Sequence, residues 1–388
     1  MESNIWKIYV MTFFNSFFFM SGVLIPFFTD WGGLSLSQTL SLQSIFMVAC
    51  FAFEFPSGAL ADRFGKKKSL CFSFCFASLG FFTYGITPDF KIFALAEILL
   101  ALGISLTSGT ISSFVSSTLK ELGKSHLRKK VLGRTASFSM AGILISAPLG
   151  GIIAHYYGLR ETMFLTVFSP IFALMIGLTL IEPRNGNKRK TFLEIIKAGA
   201  LCFKQSKALR RLAIDRVVVQ ILCFFLIWIY QPLLKQEGVL IIYFGIVHAA
   251  ICISQIVILN NFSCLERICG SKKNYLFFSS LICALSFCLI GFASTGLFWK
   301  ILAILIISGF GLSRKILLDN YMLEHTEEAY QTTALSFVEM FRKIITAILY
   351  PLIGLLMEHS INYTFLCIGI ILLIFTFIPI LKDEYLKN

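Results

Sequence analysis

The sequence predicts an all-α polytopic membrane protein with twelve transmembrane helices in two pseudo-symmetric six-helix bundles. Of its 388 residues, 57% are hydrophobic and 14% are charged, whereas an average soluble domain carries about 25% charged residues. A soluble fold of this composition would expose apolar patches that monomers rarely tolerate. A transmembrane helix needs about 20 predominantly apolar residues, and runs of that length follow one another along the chain.

Apolar runs separated by polar segments define the twelve predicted helices. They lie near residues 5–29, 36–60, 69–87, 89–118, 134–156, 160–181, 208–234, 238–262, 275–294, 297–320, 331–357 and 360–381. The first six helices and the last six form the two predicted bundles.

The 34 lysine and arginine residues are distributed unevenly between the predicted loops. If the N-terminus is cytoplasmic, 25 of them fall in cytoplasmic segments and four in outer loops, namely Lys91, Arg160, Lys235 and Lys300. Basic residues concentrate in the cytoplasmic loops of membrane proteins. The net charge of +13 is therefore attributed to membrane topology rather than to nucleic-acid binding, and both termini are expected in the cytoplasm.

The longest polar stretch divides the chain into three predicted regions. These are an N-terminal bundle (1–181), a cytoplasmic central loop (182–207) and a C-terminal bundle with a short tail (208–388). The second part of the central loop alternates apolar and basic residues, which would suit a helix on the inner leaflet. A solvated linker is the favoured interpretation, because polybasic loops are common at this side of a membrane.

Internal repetition supports the division into two halves. Residues 61–68 and 265–273 resemble each other, and each segment follows the second helix of its half. Pro148 and Pro351 both lie in the fifth helix of their halves. Two parallel six-helix repeats are a known transporter architecture, with the substrate site near the midplane between them.

The segment Gly58–Lys68 reads Gly-Ala-Leu-Ala-Asp-Arg-Phe-Gly-Lys-Lys-Lys and resembles the signature loop of the major facilitator superfamily. Its first glycine permits close helix contact, its second permits a tight turn, and its aspartate can accept hydrogen bonds or pair with arginine. The resemblance implies that this latch loop holds the two halves in the outward-facing state. The residues concerned are Gly58, Asp62, Arg63, Gly65, Lys66 and Lys67. The alternative, a basic run that only fixes topology, requires no Asp-Arg-x-Gly core.

Three further segments look like those of a bacterial branch of this superfamily that is described as drug or metabolite efflux. They are Glu54–Gly58, Ser108–Thr110 and Gly133-Arg134. That branch typically carries Tyr-Asp where this chain has residues 115–117, so no coupling residue is transferred from it. The resemblance extends over the whole chain and implies alternating access by rocking of the two halves.

The fifth predicted helix is similar to the antiporter signature of the superfamily, which implies export. The residues that carry the similarity are Gly142, Ser146, Pro148, Gly150 and Gly151. Three of them recur at spacing four on one helix face, which permits close approach of another helix. Generic packing of small residues explains the same face almost as well.

Acidic residues inside predicted helices are candidates for proton coupling, because a charge at the bilayer centre is costly and needs an explanation. The candidates are Glu54, Glu97 and Glu339. The alternative is structural ion pairing for Glu54 and a cavity-lining role for Glu97. Glu339 is expected to pair with Arg342 or Lys343, at spacings of three and four residues.

Basic and amide residues in the second half are candidates for a substrate cavity: Arg314, Arg342, Lys343, Gln220 and Gln231. Lys315 is expected to pair with Asp319 at spacing four, which would leave Arg314 free. The excess of cations over carboxylates then suggests a basic wall facing an acidic one, suited to a zwitterionic or anionic amphiphile.

These observations favour a proton-coupled secondary transporter that exports a small amphipathic molecule. An importer of a nutrient or metal chelate, or a transport-inactive receptor, are the alternatives. No phosphate-binding loop, dinucleotide fingerprint or metalloprotease motif occurs in the sequence, so no enzyme activity, cofactor or metal is expected. The expected setting is a monomer in a bacterial inner membrane, with protons, lipid and a small-molecule substrate as partners.

Overall fold

The computed structural model describes residues 1–183, 192–327 and 330–386, with side chains at all of these positions except 55–63, 192–198 and 332. All regular secondary structure in the described part of the chain is helical, as the sequence predicts.

The chain divides into two compact units, and the first division falls within the predicted central loop. Unit 1 comprises Met1–Phe192 and Leu240–Ala249, and unit 2 comprises Leu193–Val239 and Ala250–Asn388.

Unit 1 is built from the first eight helices. They are α1 (Ser3–Asn15), α2 (Leu24–Pro26), α3 (Leu36–Phe64), α4 (Lys66–Tyr84), α5 (Phe90–Thr107), α6 (Thr110–Glu121), α7 (Arg128–Tyr156) and α8 (Leu159–Leu178). Helix α5 packs on α3 and α4, α8 packs on α4, and α1 packs on α7 and α8. The first predicted helix, 5–29, is interrupted between α1 and α2.

Two glycines in left-handed backbone conformations determine where helices of unit 1 begin. Gly65, with φ of +92°, separates α3 from α4, and Gly109, with φ of +68°, separates α5 from α6. A side chain would strain both conformations. The predicted helix 89–118 is therefore two helices, of which the first is capped by Asp89 through the backbone N–H groups of Lys91 and Ile92.

Unit 1 contains two clusters of buried apolar side chains. One joins α1, α4, α6 and α8 through residues that include Ile8, Leu70, Phe74, Phe114 and Leu119. The other is largely aromatic and includes Phe27, Phe28, Phe81, Tyr84 and Phe93.

Unit 2 is built from the remaining helices, although α12 begins in the segment that clusters with unit 1. They are α9 (Phe192–Gln205), α10 (Lys207–Phe224), α11 (Leu226–Gln236), α12 (Phe244–Asn260), α13 (Phe262–Ile268), α14 (Lys272–Gly291), α15 (Leu297–Ile306), α16 (Ser313–Glu324), α17 (Gln331–His359) and α18 (Ile361–Phe377). Helix α14 packs on α15 and α18, and α10 packs on α16 and α17.

Helix α9 replaces the solvated linker that the sequence favours for the second part of the central loop. Its Phe203 ring lies 5.3 Å from the ring of Phe337 on α17. A Cβ atom on Gly199 would lie only 2.7 Å from the same phenylalanine ring. These contacts dock α9 on unit 2, which explains why the segment is helical.

Nine helical stretches among the described residues, some of which join two consecutive helices such as α5 and α6, are long and apolar enough to cross a membrane. The last helix, α18, is apolar but shorter, with 17 residues. Many large apolar side chains on these helices are exposed, such as Phe168, Met175, Ile348 and Ile374. A polytopic membrane protein accounts for both observations, while the full count of twelve spans stays a prediction.

Candidate functional site

A carboxyl group is buried inside unit 1 with neutral hydrogen-bond partners. Glu97 on α5 accepts a hydrogen bond from Nε2 of Gln43 on α3 and another from the hydroxyl of Tyr84 on α4. The Tyr84 ring lies 5.5–6.0 Å from the rings of Phe27, Phe28 and Phe93. Because neither described partner is a cation, nothing in this arrangement fixes the charge of the carboxyl group.

Glu339 on α17 has the opposite surroundings. Its two oxygens contact three cations, with distances of 2.5 Å to Arg216 Nη2, 2.8 Å to Lys315 Nζ and 2.7 Å to Arg342 Nε. The predicted pairing of Glu339 with Arg342 is thus present. Contacts with three cations make this group a weaker candidate for a proton carrier than Glu97. The third candidate, Glu54, is half-buried on α3.

The end of the latch loop is anchored within unit 1 by a carboxylate from the chain after α8. Glu182 accepts hydrogen bonds from the backbone N–H groups of Lys66 (2.8 Å) and Lys67 (2.7 Å), at the first turn of α4. A negative group at this position satisfies free N–H groups and interacts favourably with the helix dipole. The ammonium group of Lys66 reaches α6, where Ser117 Oγ accepts at 2.5 Å.

The other predicted latch residues, Gly58, Asp62 and Arg63, have side chains outside the described part of the chain. Their backbone belongs to α3, and Gly65 ends that helix. Sequence reasoning assigned Glu182 to a solvated loop and missed its capping contact.

The small residues of the predicted fifth helix lie on α7, and three of its glycines face other backbones of unit 1. A Cβ atom at each would overlap a carbonyl oxygen, Gly142 with Phe13, Gly150 with Phe19 and Gly151 with Ile242. Ser146 is fully buried, and Pro148 lies inside the helix. These glycines therefore permit close backbone packing within unit 1, while the export that the antiporter signature implies stays a prediction.

Arg314 is not free, which corrects the expectation from the sequence. It is 3% exposed and its Nη2 lies 2.5 Å from Oδ1 of Asp215 on α10. Its Nη1 donates to the carbonyl oxygen of Leu276 (2.5 Å) and to Ser279 Oγ (2.7 Å) on α14. The sequence considers pairs along α16 alone, whereas the observed partners of Arg314 belong to α10 and α14.

The expected pair of Lys315 with Asp319 is also corrected. Lys315 forms its ion pair with Glu339, and Asp319 forms one with Nε of Arg216. Arg216 is 1% exposed and contacts two carboxylates from α16 and α17. Spacing along one helix indicates only partners on the same helix. Arg216 and Asp215 therefore could not be assigned as partners, although both are charges inside an apolar run.

The remaining cavity candidates lie in unit 2. Gln231 is buried on α11 and donates to the hydroxyl of Tyr230 at 3.1 Å. Gln220 is half-buried on α10, and its buried Oε1 has no hydrogen-bond partner among the described residues. Lys343 is half-buried on α17.

Comparison with known families identifies the class of this helical membrane protein. The sequence profile of the Major Facilitator Superfamily matches residues 6–313. The chain therefore belongs to this superfamily, whose members are transporters, and the resemblance seen in the latch loop is confirmed.

Proteins related to this chain in sequence include drug-resistance proteins. Multidrug resistance protein 1 of Bacillus subtilis is 27% identical over 143 residues, which cover 36% of this chain and 36% of that protein. Quinolone resistance protein NorA of Staphylococcus aureus is 22% identical over 181 residues, 45% of each chain. The chain thus spans less than half the length of these two relatives.

Solved structures share the fold at low sequence identity. A variant of the nucleoside transporter NupG has a TM-score of 0.81 at 13% identity, covering 97% of this chain and all of the other. A D-xylose-proton symporter has a TM-score of 0.77 at 14% identity, covering 99% of this chain and 98% of the other. At this identity the likeness concerns the fold alone.

Proposed function

We propose that this protein is a proton-coupled secondary transporter that exports a small amphipathic molecule by alternating access. The observation that carries the proposal is the buried carboxyl group of Glu97, whose described partners Gln43 and Tyr84 are neutral. Ionisable groups inside membrane segments commonly mark proton relays. A carboxyl group whose described partners are neutral is suited to gain and lose a proton during a transport cycle.

Export is favoured over import by two observations. The relatives of Bacillus subtilis and Staphylococcus aureus are described as drug-resistance proteins. The small-residue face of α7 is similar to the antiporter signature. The latch loop is proposed to stabilise the outward-facing state, with Glu182 keeping the first turn of α4 in place. The proposed setting is a monomer in a bacterial inner membrane with both termini in the cytoplasm.

Transport into inverted membrane vesicles tests this proposal. With an acidic vesicle interior, accumulation is measured for a panel of lipophilic cations, zwitterionic chelators, aromatic acids and amino acids. Wild type is compared with Glu97→Gln, with Glu54→Gln, and with Glu161→Gln as a matched control in the first turn of α8. We expect gradient-dependent accumulation in wild type, Glu54→Gln and Glu161→Gln, and its loss in Glu97→Gln.

Other outcomes separate the alternatives. Uptake of the same panel only into right-side-out vesicles would make the protein an importer. Equal gradient-dependent transport by Glu97→Gln and wild type would reject Glu97 as the proton carrier. Absence of transport in both orientations, with correctly inserted protein, would favour the transport-inactive receptor.

A further inference from the structure

Two stripes of polar and aromatic side chains face each other in unit 2, one on α10 and α11 and one on α17. We call this region the α10–α17 seam and define it by Arg216, Gln220, Trp228, Arg342, Thr346 and Tyr350. On α17 its members and Glu339 recur every three or four residues, so they share one helix face. Arg216 and Gln220 are four residues apart on α10 and share a face in the same way.

Contacts between the stripes run along the seam. Arg216 Nη2 lies 2.5 Å from Oε1 of Glu339 at one end. The guanidinium carbon of Arg342 lies 5.9 Å from the ring centre of Phe224. At the other end, the rings of Trp228 and Tyr350 are 5.7 Å apart and nearly perpendicular. The seam therefore has a charged end and an aromatic end.

Four buried polar atoms in the seam have no hydrogen-bond partner within the described ranges of the chain. They are Arg216 Nη1, Gln220 Oε1, Trp228 Nε1 and Thr346 Oγ1. The side chains of Arg216 and Thr346 are 1% and 0% exposed, and Trp228 is 8% exposed. Native structures satisfy most buried polar groups, so each exception calls for an explanation. Four in one seam point to a ligand that supplies the partners.

The charges at one end of the seam define the sign of that ligand. Arg216, Lys315 and Arg342 contribute three positive charges, and Asp319 and Glu339 contribute two negative ones. The Arg314–Asp215 pair nearby is neutral as a unit. Among these five described side chains the positive charges outnumber the negative ones by one, which matches a ligand with a single negative charge.

The unpartnered atoms define which hydrogen-bonding groups the ligand must carry. The guanidinium, indole and hydroxyl groups can donate hydrogen bonds to a ligand, whereas Gln220 Oε1 requires a donor from it. Four residues along a helix correspond to about 6 Å, comparable to the length of a para-substituted benzene ring. The ring of such a ligand would lie between Arg216 and Gln220, one helical turn before Phe224.

We propose that the α10–α17 seam binds an aromatic carboxylate with a hydroxyl group on the ring, and that this is the transported class of molecule. The ligand carboxylate contacts Arg216 Nη1 and Arg342, its hydroxyl group donates to Gln220, and Thr346 donates to the ligand from α17. Because the seam is buried, the ligand enters when α10 and α17 separate. Binding of this ligand is independent of the transport function proposed above. Only the statement that the ligand is transported rests on that function.

Equilibrium binding to the full-length protein in lipid nanodiscs tests the site directly, with radiolabelled 4-hydroxybenzoate as the probe. The neutral amide, 4-hydroxybenzamide, is the matched competitor. We expect saturable binding of the acid and about tenfold weaker competition by the amide, because a charge-assisted hydrogen bond is lost. Arg342→Gln should weaken binding of the acid about tenfold and remove its preference over the amide.

Thr346→Val is the second variant, because it removes an unpartnered hydroxyl group with little change of shape. Its control is Thr364→Val on α18, where the equally buried hydroxyl group already donates to the carbonyl oxygen of Ser360 at 2.8 Å. Thr346→Val should weaken binding several-fold and Thr364→Val should leave it unchanged. Absence of saturable binding, equal affinity for acid and amide, or equal effects of the two threonine changes would overturn the proposal.

The vesicle assay distinguishes failure of the site from failure of the function. Binding of 4-hydroxybenzoate without gradient-dependent transport would retain the seam as a binding site and reject its role in transport. Gradient-dependent transport of another compound, with neither binding nor transport of 4-hydroxybenzoate, would reject the seam proposal and retain the exporter.

Discussion

Asp215 and Arg314, 99 residues apart in the sequence, form a buried ion pair with an Oδ1–Nη2 distance of 2.5 Å. The arginine also donates to Leu276 and Ser279. One side chain thus joins α10, α14 and α16 within unit 2. A buried guanidinium group is stable only when its partners are in place, so this contact requires the three helices to keep their mutual positions.

Asp215→Asn should destabilise the protein by about 3–5 kcal/mol, because it leaves the positive charge of Arg314 buried without a counter-charge. Chemical unfolding of the purified protein in mixed micelles measures the change. Asp383→Asn is the control, since Asp383 pairs with Lys273 at an exposed site, where such pairs contribute about 0–1 kcal/mol. Equal stability of the two variants would show that the pair is not required for folding.

The ion pair of Lys300 with Glu237 should respond unequally to removal of its two members. The side chains are 2.6 Å apart, with Lys300 1% exposed and Glu237 21% exposed. Glu237→Gln leaves a buried ammonium group and should cost about 3 kcal/mol. Lys300→Met leaves a carboxylate that water can reach, so its cost should be smaller. The same unfolding assay measures the stability of both variants. A larger loss of stability for Lys300→Met than for Glu237→Gln would contradict this account.

Gly245→Ala should destabilise unit 1 by about 1–3 kcal/mol through overpacking. A Cβ atom on Gly245 would overlap the carbonyl oxygen of Ala147 and lie 2.9 Å from the Cα atom of Pro148. Gly133→Ala is the matched control in helix α7, where nothing lies within 4 Å of an added Cβ atom. Since alanine favours helix over glycine, the control should be neutral or stabilising. Similar melting temperatures for both variants would refute the close approach.

Glu182→Ala should cost about 1 kcal/mol, the usual effect of losing a helix cap. It removes the acceptor for the N–H groups of Lys66 and Lys67. Hydrogen exchange at these two amides should accelerate, while exchange at Ile92, which Asp89 caps, should stay unchanged. Glu182→Gln retains one acceptor oxygen and should give an intermediate result. Unchanged exchange at Lys66 in Glu182→Ala would exclude the capping role.

Some predictions that rested on composition or on local spacing were confirmed. The all-helical fold follows from the density of apolar residues. The turn predicted at Gly65 is present, because glycine adopts its backbone conformation without strain, whereas the helix boundary at Gly109 was not predicted. The pairing of Glu339 with Arg342 at spacing three is also present. Such features depend on residues within one or two helical turns, which a sequence displays directly.

Predictions about partners across helices failed for a physical reason. A sequence displays the spacing of residues along one helix but not the contacts between helices. It therefore predicts a pair of Lys315 with Asp319 and a free Arg314. Their observed partners, Asp215 and Glu339, come from other helices. Which faces of two helices meet depends on packing of all side chains between them, and this information is spread over the whole chain.

By itself, the sequence determined that the protein is a helical membrane protein of the Major Facilitator Superfamily, because apolar length, basic loops and the latch motif are local properties. The tertiary structure decided which charges are neutralised and which buried polar atoms lack a partner among the described residues. It surrounded Glu339 with three cations and Glu97 with neutral partners, although both are glutamates in apolar helices. The difference arises because electrostatic interactions act across space between packed helices, and only the folded chain sets those distances.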